Sequence, residues 1–288
     1  MGRKFKKPKL SKTDFDTALL PKSRKEQFKD IFSHEFKTFL WIGLIFLLFA
    51  VPYFAAMYCN NILMYTLIEE NAASIASDEI STYKFTFSLI FNGLTSLSYL
   101  LFAIPLAGSL RIVKNLVYGE PILFKDDFFA GIKKYWKITL IVCALLGVFK
   151  FITETSINYC NIFLSSTGLN FMSGLLLGIF YLIIIPTLFF LISLYITYDL
   201  KPKQIINLSF RFQISNLIFS VLMGGSFLLS YVIKLIPSFL VVLLLFAIIF
   251  VLIIPFYILV WHLYVTSRFD KFINEKSFPE IFRKGISN

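Results

Sequence analysis

Few residues in this chain have the type and spacing that chemistry needs. Asp126 and Asp127 are adjacent acids in a loop that also carries Glu120. Paired carboxylates can hold Mg2+ against a phosphate or diphosphate, but such sites draw carboxylates from more than one motif, and this pair stands alone. A plainer role suits it. Acids in the first turn of a short helix, with Lys133, Lys134 and Lys137 in the last, complement the helix dipole. Lys150 and Glu154 lie one helical turn apart, within reach of each other. They fall inside an apolar run, where a charge marks a substrate or ion pathway by default. They also lie near the end of that run, where a lysine can instead snorkel to the interface. His262, beside Trp261, has no second histidine near it and reads as a packing or interfacial residue rather than a ligand or proton relay.

The three cysteines, Cys59, Cys143 and Cys160, form no CxxC and no Cys/His cluster, so no metal site is expected. Cys143 falls mid-helix as a small apolar filler. Cys59 and Cys160 fall on one side of the expected topology, which leaves a disulfide open, with two unpaired thiols the expectation. No GxxxxGK[ST], HExxH or GxSxG occurs. The chain is therefore read as a non-enzyme, and no cofactor is expected.

The elements that must position these residues are membrane helices. Hydrophobic residues make up 57% of the 288, with 35 phenylalanines, and the mean hydropathy is +0.76. Soluble domains are about 45–50% apolar, so a chain this greasy cannot cover itself in water. Six apolar runs approach the ~20 residues a crossing needs, five of them uncharged and the third interrupted by Lys150 and Glu154. They are Thr38 to Tyr58, Thr86 to Leu110, Ile138 to Thr155, Phe171 to Thr197, Ile214 to Ile233 and Phe239 to Tyr264. A polar loop with Glu69, Glu70, Asp78 and Glu79 follows the first. The fold class is all-α: a polytopic bundle of six helices in three hairpins. Residues 1–37 form a basic tail and interfacial helix, 38–267 the membrane domain, and 268–288 a polar tail. No apolar run early in Met1 to Lys37 is long enough for a cleavable signal, so the chain is expected to stay embedded at full length.

The net charge is +11, and its distribution matters more than its size. Of 28 Lys/Arg, 25 fall in residues 1–37, 111–137, 201–211 and the tail, leaving Lys84, Lys150 and Lys234 for the other side. That asymmetry predicts both termini in the cytoplasm. The basic stretches sit beside membrane helices without an RNA- or DNA-binding motif, so nucleic acid is not expected as a partner.

A repeat emerges along the chain. Each even helix carries an Ile-Pro step, at Ile104-Pro105, Ile185-Pro186 and Ile254-Pro255, and each predicts a kink. Each odd helix is preceded by apolar residues at helical spacing: Phe28/Phe32/Phe36, Phe124/Phe128/Ile132 and Ile206/Phe210/Ile214. These predict short helices lying on the cytoplasmic surface. Trp41, Trp136 and Trp261 read as interfacial anchors.

Two loops carry a resemblance. GSLRIVKNLVYGEPILFKDDFFAGIKKYWK resembles the first cytoplasmic loop of the YesL-like family (domain of unknown function 624), where an arginine, a Gly-Glu turn and a Phe/Asp-rich amphipathic segment follow a helix end. YDLKPKQIINLSFRFQISN is similar to that family's later loop. The resemblance implies a bacterial plasma-membrane protein of this topology, sometimes associated with sugar-uptake systems, and carries over no catalytic residue.

The expected function is that of a non-enzymatic membrane accessory or scaffold protein, serving transporter subunits. Arg111, Lys114, Lys125, Lys133, Lys134 and Lys137 are its candidate contacts for a partner or for anionic lipid. The alternative is a small-solute permease built on the proline-broken helices and the Lys150–Glu154 pair. A lipid-modifying enzyme ranks behind both.

Overall fold

The computed structural model describes residues 20–63, 77–163, 167–226, 233, 236 and 238–287. The expected flexible tail before Ser23 lies almost wholly outside them. So do Glu69, Glu70, Lys234 and most of the second half of the fifth predicted crossing. All regular elements among the described residues are helical.

Helix α1 (Arg24–His34) is started by Ser23, whose hydroxyl accepts from the Glu26 N–H at 3.3 Å. Helix α2 (Phe36–Leu63) follows after a single-residue break at Glu35. Helices α3 (Ser77–Ser98) and α4 (Ala103–Val117) are joined by a 3-10 turn at Tyr99–Phe102 and together make one long rod. Helix α5 (Phe124–Phe163) runs 40 residues without a break. Helices α6 (Thr167–Ile179) and α7 (Ile185–Thr197) flank a π-helical turn at Phe180–Ile184. Helix α8 (Pro202–Ser215) meets α9 (Leu217–Ser226) at 93°. Helices α10 (Phe239–Ile248) and α11 (Ile254–Phe269) flank a second π turn at Ile249–Ile253.

Among the described residues, five rods are long and apolar enough to cross a membrane: Phe36–Leu63, Glu79–Val117, Phe124–Phe163, Phe171–Thr197 and Phe239–Ser277. The bent α8–α9 pair makes a sixth if it counts as one crossing. Only about a fifth to two fifths of each apolar window is buried inside the bundle, and exposed Leu48, Leu97, Ile218 and Leu240 face outward. Such surfaces suit a hydrocarbon surrounding.

One expected surface helix is absent as a separate element. Phe124, Phe128 and Ile132 begin α5 itself, because nothing between Phe124 and Phe163 stops a helix: there is no proline in the segment. Asp126 and Asp127 do occupy its first turn, but Lys133, Lys134 and Lys137 are mid-helix rather than at a C-terminus. The other two surface segments, α1 and α8, are distinct helices.

Each Ile-Pro step coincides with a change of helix type. A proline cannot donate to the carbonyl four residues back, and its ring presses on that carbonyl. The helix adapts by widening into a π turn before Pro186 and Pro255, and by tightening into a 3-10 turn before Pro105. Neighbours then close on the altered backbone. The carbonyl that Pro186 leaves, on Leu182, accepts from Gln213 Nε2 at 3.1 Å. The one that Pro255 leaves, on Val251, is covered by Gly43, where a Cβ would collide with the oxygen. Gly224 packs as closely on the Tyr181 carbonyl, and Gly147 on that of Ser96. A glycine of another helix thus packs against each broken rod.

Candidate functional site

Three polar regions stand out among the described residues, and they differ in what they leave exposed. The first ties the basic end together. Arg24 Nη2 reaches Asp270 Oδ2 at 2.8 Å, with both side chains nearly buried. Its Nη1 donates to Gln27 Oε1, Val117 O and Lys284 O. Gln27 is buried and its Nε2 donates to Val117 O at 2.8 Å and Gly285 O at 3.1 Å. Asp270 Oδ1 accepts from Asn274 Nδ2 and the Arg283 N–H, and Asn274 Oδ1 accepts from the Tyr198 hydroxyl. The Ser287 N–H closes the ring on Pro21 O at 2.9 Å. Gly285, at φ +85°, fits only because it lacks a Cβ, which would collide with Val117 O. The tail from Arg268 is therefore a packed element. Burial pushes the Tyr118 phenol here up to about 12 and raises Tyr198 as well.

The sequence placed Arg111 and Lys114 in a docking surface, and the structure turns both to other work. Arg111 Nε pairs with Asp127 Oδ1 at 3.1 Å, and Asp127 also accepts from Asn115 Nδ2 and the Leu123 N–H. That use of Asp127 is structural: it ties the turn after α4 to the start of α5. Lys114 Nζ donates inward to Ile196 O at 2.6 Å. Gly108 and Gly131 let α4 and α5 approach closely beside Arg111, whose Cβ lies within contact of where a Gly131 Cβ would stand.

The second region is what remains of that surface. Lys125, Lys133, Lys134 and Lys137 are exposed along the first third of α5. Lys125, Phe129, Lys133, Trp136, Lys137 and Leu140 form one outward stripe at helical spacing, and Phe129 is 60% exposed. Trp41 is also exposed, but Trp261 is buried, donating its Nε1–H to Ser193 Oγ at 3.1 Å among Phe189, Phe190 and Phe219. It is a core residue rather than an interfacial anchor, since it lies on the inner face of α11.

The third region holds the intramembrane pair. Lys150 is 4% exposed, and its Nζ donates to Glu154 Oε2 at 2.5 Å and to Thr95 Oγ1 at 3.0 Å. Its ammonium also lies 5.8 Å from the Tyr53 ring centre and 5.9 Å from that of Tyr99. The lysine does not snorkel: it is enclosed by α2, α3 and α5. Glu154 lines an open cavity of about 300 Å³ with Tyr53, Asn60 and Asn61 of α2, Phe91, Asn92 and Thr95 of α3, Asn158 of α5 and Phe239 of α10. Within the bundle, Asn60 Oδ1 and Asn92 Nδ2 are buried without a hydrogen-bond partner. Sequence reasoning found the charged pair and missed the asparagines. The spacing of Asn158 from Glu154, one turn along one helix face, was the available signal.

His262 is buried in α11 with Nε2 unpartnered. Among the described residues, no group of three or more His, Cys, Asp or Glu comes together. All three thiols are free; Cys143 is buried, as a filler would be, and Cys59 is exposed. Comparison with family models, curated proteins and solved structures returned no match.

Proposed function

We propose that this chain is a non-enzymatic accessory protein of a bacterial plasma membrane, similar to the YesL-like family, with six crossings in three hairpins and both termini cytoplasmic. Its role is to hold a fixed basic face against the anionic inner leaflet and there serve transporter subunits. The observation that carries the reading is the stripe on α5. Lys125, Lys133 and Lys137 alternate with exposed Phe129 and Trp136, and the stripe then passes without interruption into exposed apolar Leu140 and Ile141. Basic and aromatic residues directly before lipid-facing ones are what an interface requires. Each lysine near an anionic surface adds about 1 kcal/mol of attraction. The bond from Ser287 to Pro21 supports an even number of crossings, since it puts the first and last described segments on one side; the choice of the cytoplasmic side rests on the Lys/Arg count.

The test is retention of lipid. Wild-type protein purified from mixed phosphatidylglycerol/phosphatidylcholine membranes is expected to carry phosphatidylglycerol preferentially. Lys133→Gln/Lys134→Gln/Lys137→Gln is expected to lose that preference and the co-purification of transporter subunits. Unchanged lipid selectivity in the triple variant sinks the reading.

A second reading, a small-solute permease, has one observation in its favour: the Lys150–Glu154 pair borders a polar cavity among four helices. Solute flux in proteoliposomes, lost on Glu154→Ala, separates it from the first.

A further inference from the structure

We infer that the cavity bordered by Glu154 binds a small uncharged polyhydroxyl group; this deepens the permease reading by naming its ligand, and binding does not require that transport occur.

Charge comes first. The lysine of the pair is spent, with Glu154 Oε2, Thr95 Oγ1 and the faces of Tyr53 and Tyr99 surrounding its ammonium. Lys150 and Glu154 balance each other. A ligand with a net charge would find no unpaired counter-charge in the lining to repay the hydration it leaves behind. The ligand is therefore neutral.

The lining then sets its polarity. Asn60, Asn61, Asn92 and Asn158 come from three different helices and converge on one space. Each amide offers an acceptor and two donors. As placed, Asn60 Oδ1 and Asn92 Nδ2 are shielded and without a partner, one an acceptor and the other a donor, so a ligand that draws both amides into the space has to give and take. Exchanging O and N in both amides leaves the same need, one atom that accepts and one that donates. A hydroxyl does both on a single atom. Unpartnered buried polar groups are uncommon in folded proteins and mark places where something else completes the bonding.

Shape supplies the last element. Tyr53, Phe91 and Phe239 give the cavity apolar faces, against which C–H surfaces pack while hydroxyls meet the amides. At about 300 Å³ the space is at the lower end of ligand pockets, which suits a compact ring or short chain. The polyhydroxyl group can belong to a free polyol or to the headgroup of a sugar-headed lipid, because the cavity is open to its surroundings.

The experiment uses the full chain in nanodiscs. One arm titrates labelled myo-inositol into discs of plain phosphatidylcholine. The other compares discs with and without monoglucosyl diacylglycerol, reading lipid retained on the protein. Saturable binding in the first arm identifies a free polyol, and selective retention in the second a headgroup. In the arm that binds, Asn60→Ala and Asn92→Ala are each expected to weaken binding about tenfold, since each removes a bond otherwise left unmade. Lys133→Gln, at the opposite end, is expected to leave it unchanged. Helicity and melting temperature of each asparagine variant establish that it is folded. No binding in either arm, binding indifferent to both asparagine variants, or tighter binding of choline or glutamate than of inositol overturns the inference. Binding without flux in proteoliposomes overturns the permease reading alone.

Discussion

The basic end and the cavity end are built from similar polar inventories and differ in how far those groups bond to one another. At the basic end Arg24, Gln27, Asp270 and Asn274 bond to one another across four segments of chain, with the Nε atoms of Arg24 and Arg283 left over among donors that are otherwise used. At the cavity end Lys150 and Glu154 satisfy each other, while Asn60 and Asn92 keep buried atoms without partners. A buried polar network that closes on itself fixes a structure; one left partly open is poised for a ligand. The helices are the same kind of rod at both ends, so the difference lies in what the side chains are allowed to meet.

The largest test of that contrast is at Asp270. Removing one member of a buried, multiply bonded ion pair strands the other, at a cost of about 3–5 kcal/mol. Asp270→Ala is expected to cost that much in reversible unfolding in detergent micelles. Asp270→Asn, which can keep the Asn274 and Arg283 contacts, is expected to cost less. If Asp270→Ala unfolds like wild type, the basic end is not a closed network. Lys150→Met comes next. It leaves Glu154 beside an open cavity that water can fill, so the loss is expected to be smaller, about 2–3 kcal/mol. Adding Glu154→Gln is expected to recover much of it. A double variant no more stable than the single one would show that the pair is not what Lys150 contributes.

Glycines give a finer comparison. Gly285→Ala drives a Cβ into Val117 O at φ +85°, and such strain costs about 1–3 kcal/mol. Gly174, an exposed helical position in α6, has open space where a Cβ would stand, with nothing within 4 Å. Gly174→Ala is expected to be neutral or to stabilise by up to about 1 kcal/mol. Equal melting temperatures for the two variants would erase the distinction between a packed end and an open one.

Membrane character and most rod positions are legible in the sequence, because ~20 apolar residues without charges have few other uses. The fourth rod is read from composition at its Thr197 end, while α6 begins at Thr167, four residues before Phe171. The full length of α5 is not, since charge at Lys133 and Lys134 looks like a boundary while the backbone continues unbroken beneath it. The Ile-Pro steps are legible as disturbances, but what covers the freed carbonyls, Gly43 on Val251 and Gln213 on Leu182, comes from far away in sequence. At the sites, spacing of four reveals Lys150 with Glu154. It cannot reveal that Arg111 pairs with Asp127 or that Lys114 reaches Ile196 O, because those contacts join separate elements. The tail's role is hidden because its partners are distant: Asp270, Asn274 and Arg283 look like solvated polar residues until Arg24 and Gln27 arrive from the other end of the chain.

The smallest expected effect concerns Tyr118, which the basic end encloses. Lys114 Nζ and Lys284 Nζ lie 5.5 and 5.1 Å from its ring centre, yet burial dominates and lifts the phenol to about 12. An unfolded tyrosine ionises near 10. A raised pKa in the folded state means that the unfolded state loses its proton first, so the contribution is whole below about pH 10 and is lost as the pH climbs towards 12. Tyr118→Phe keeps the ring beneath both ammonium groups and removes only the ionisable hydroxyl. Wild type is therefore expected to lose about 1 kcal/mol more than Tyr118→Phe between pH 9 and pH 11, in unfolding measured side by side. The other tyrosines and the lysines titrate in both proteins and cancel in that difference. Parallel pH profiles would mean that Tyr118 is solvated, and that the basic end opens as readily as the cavity end.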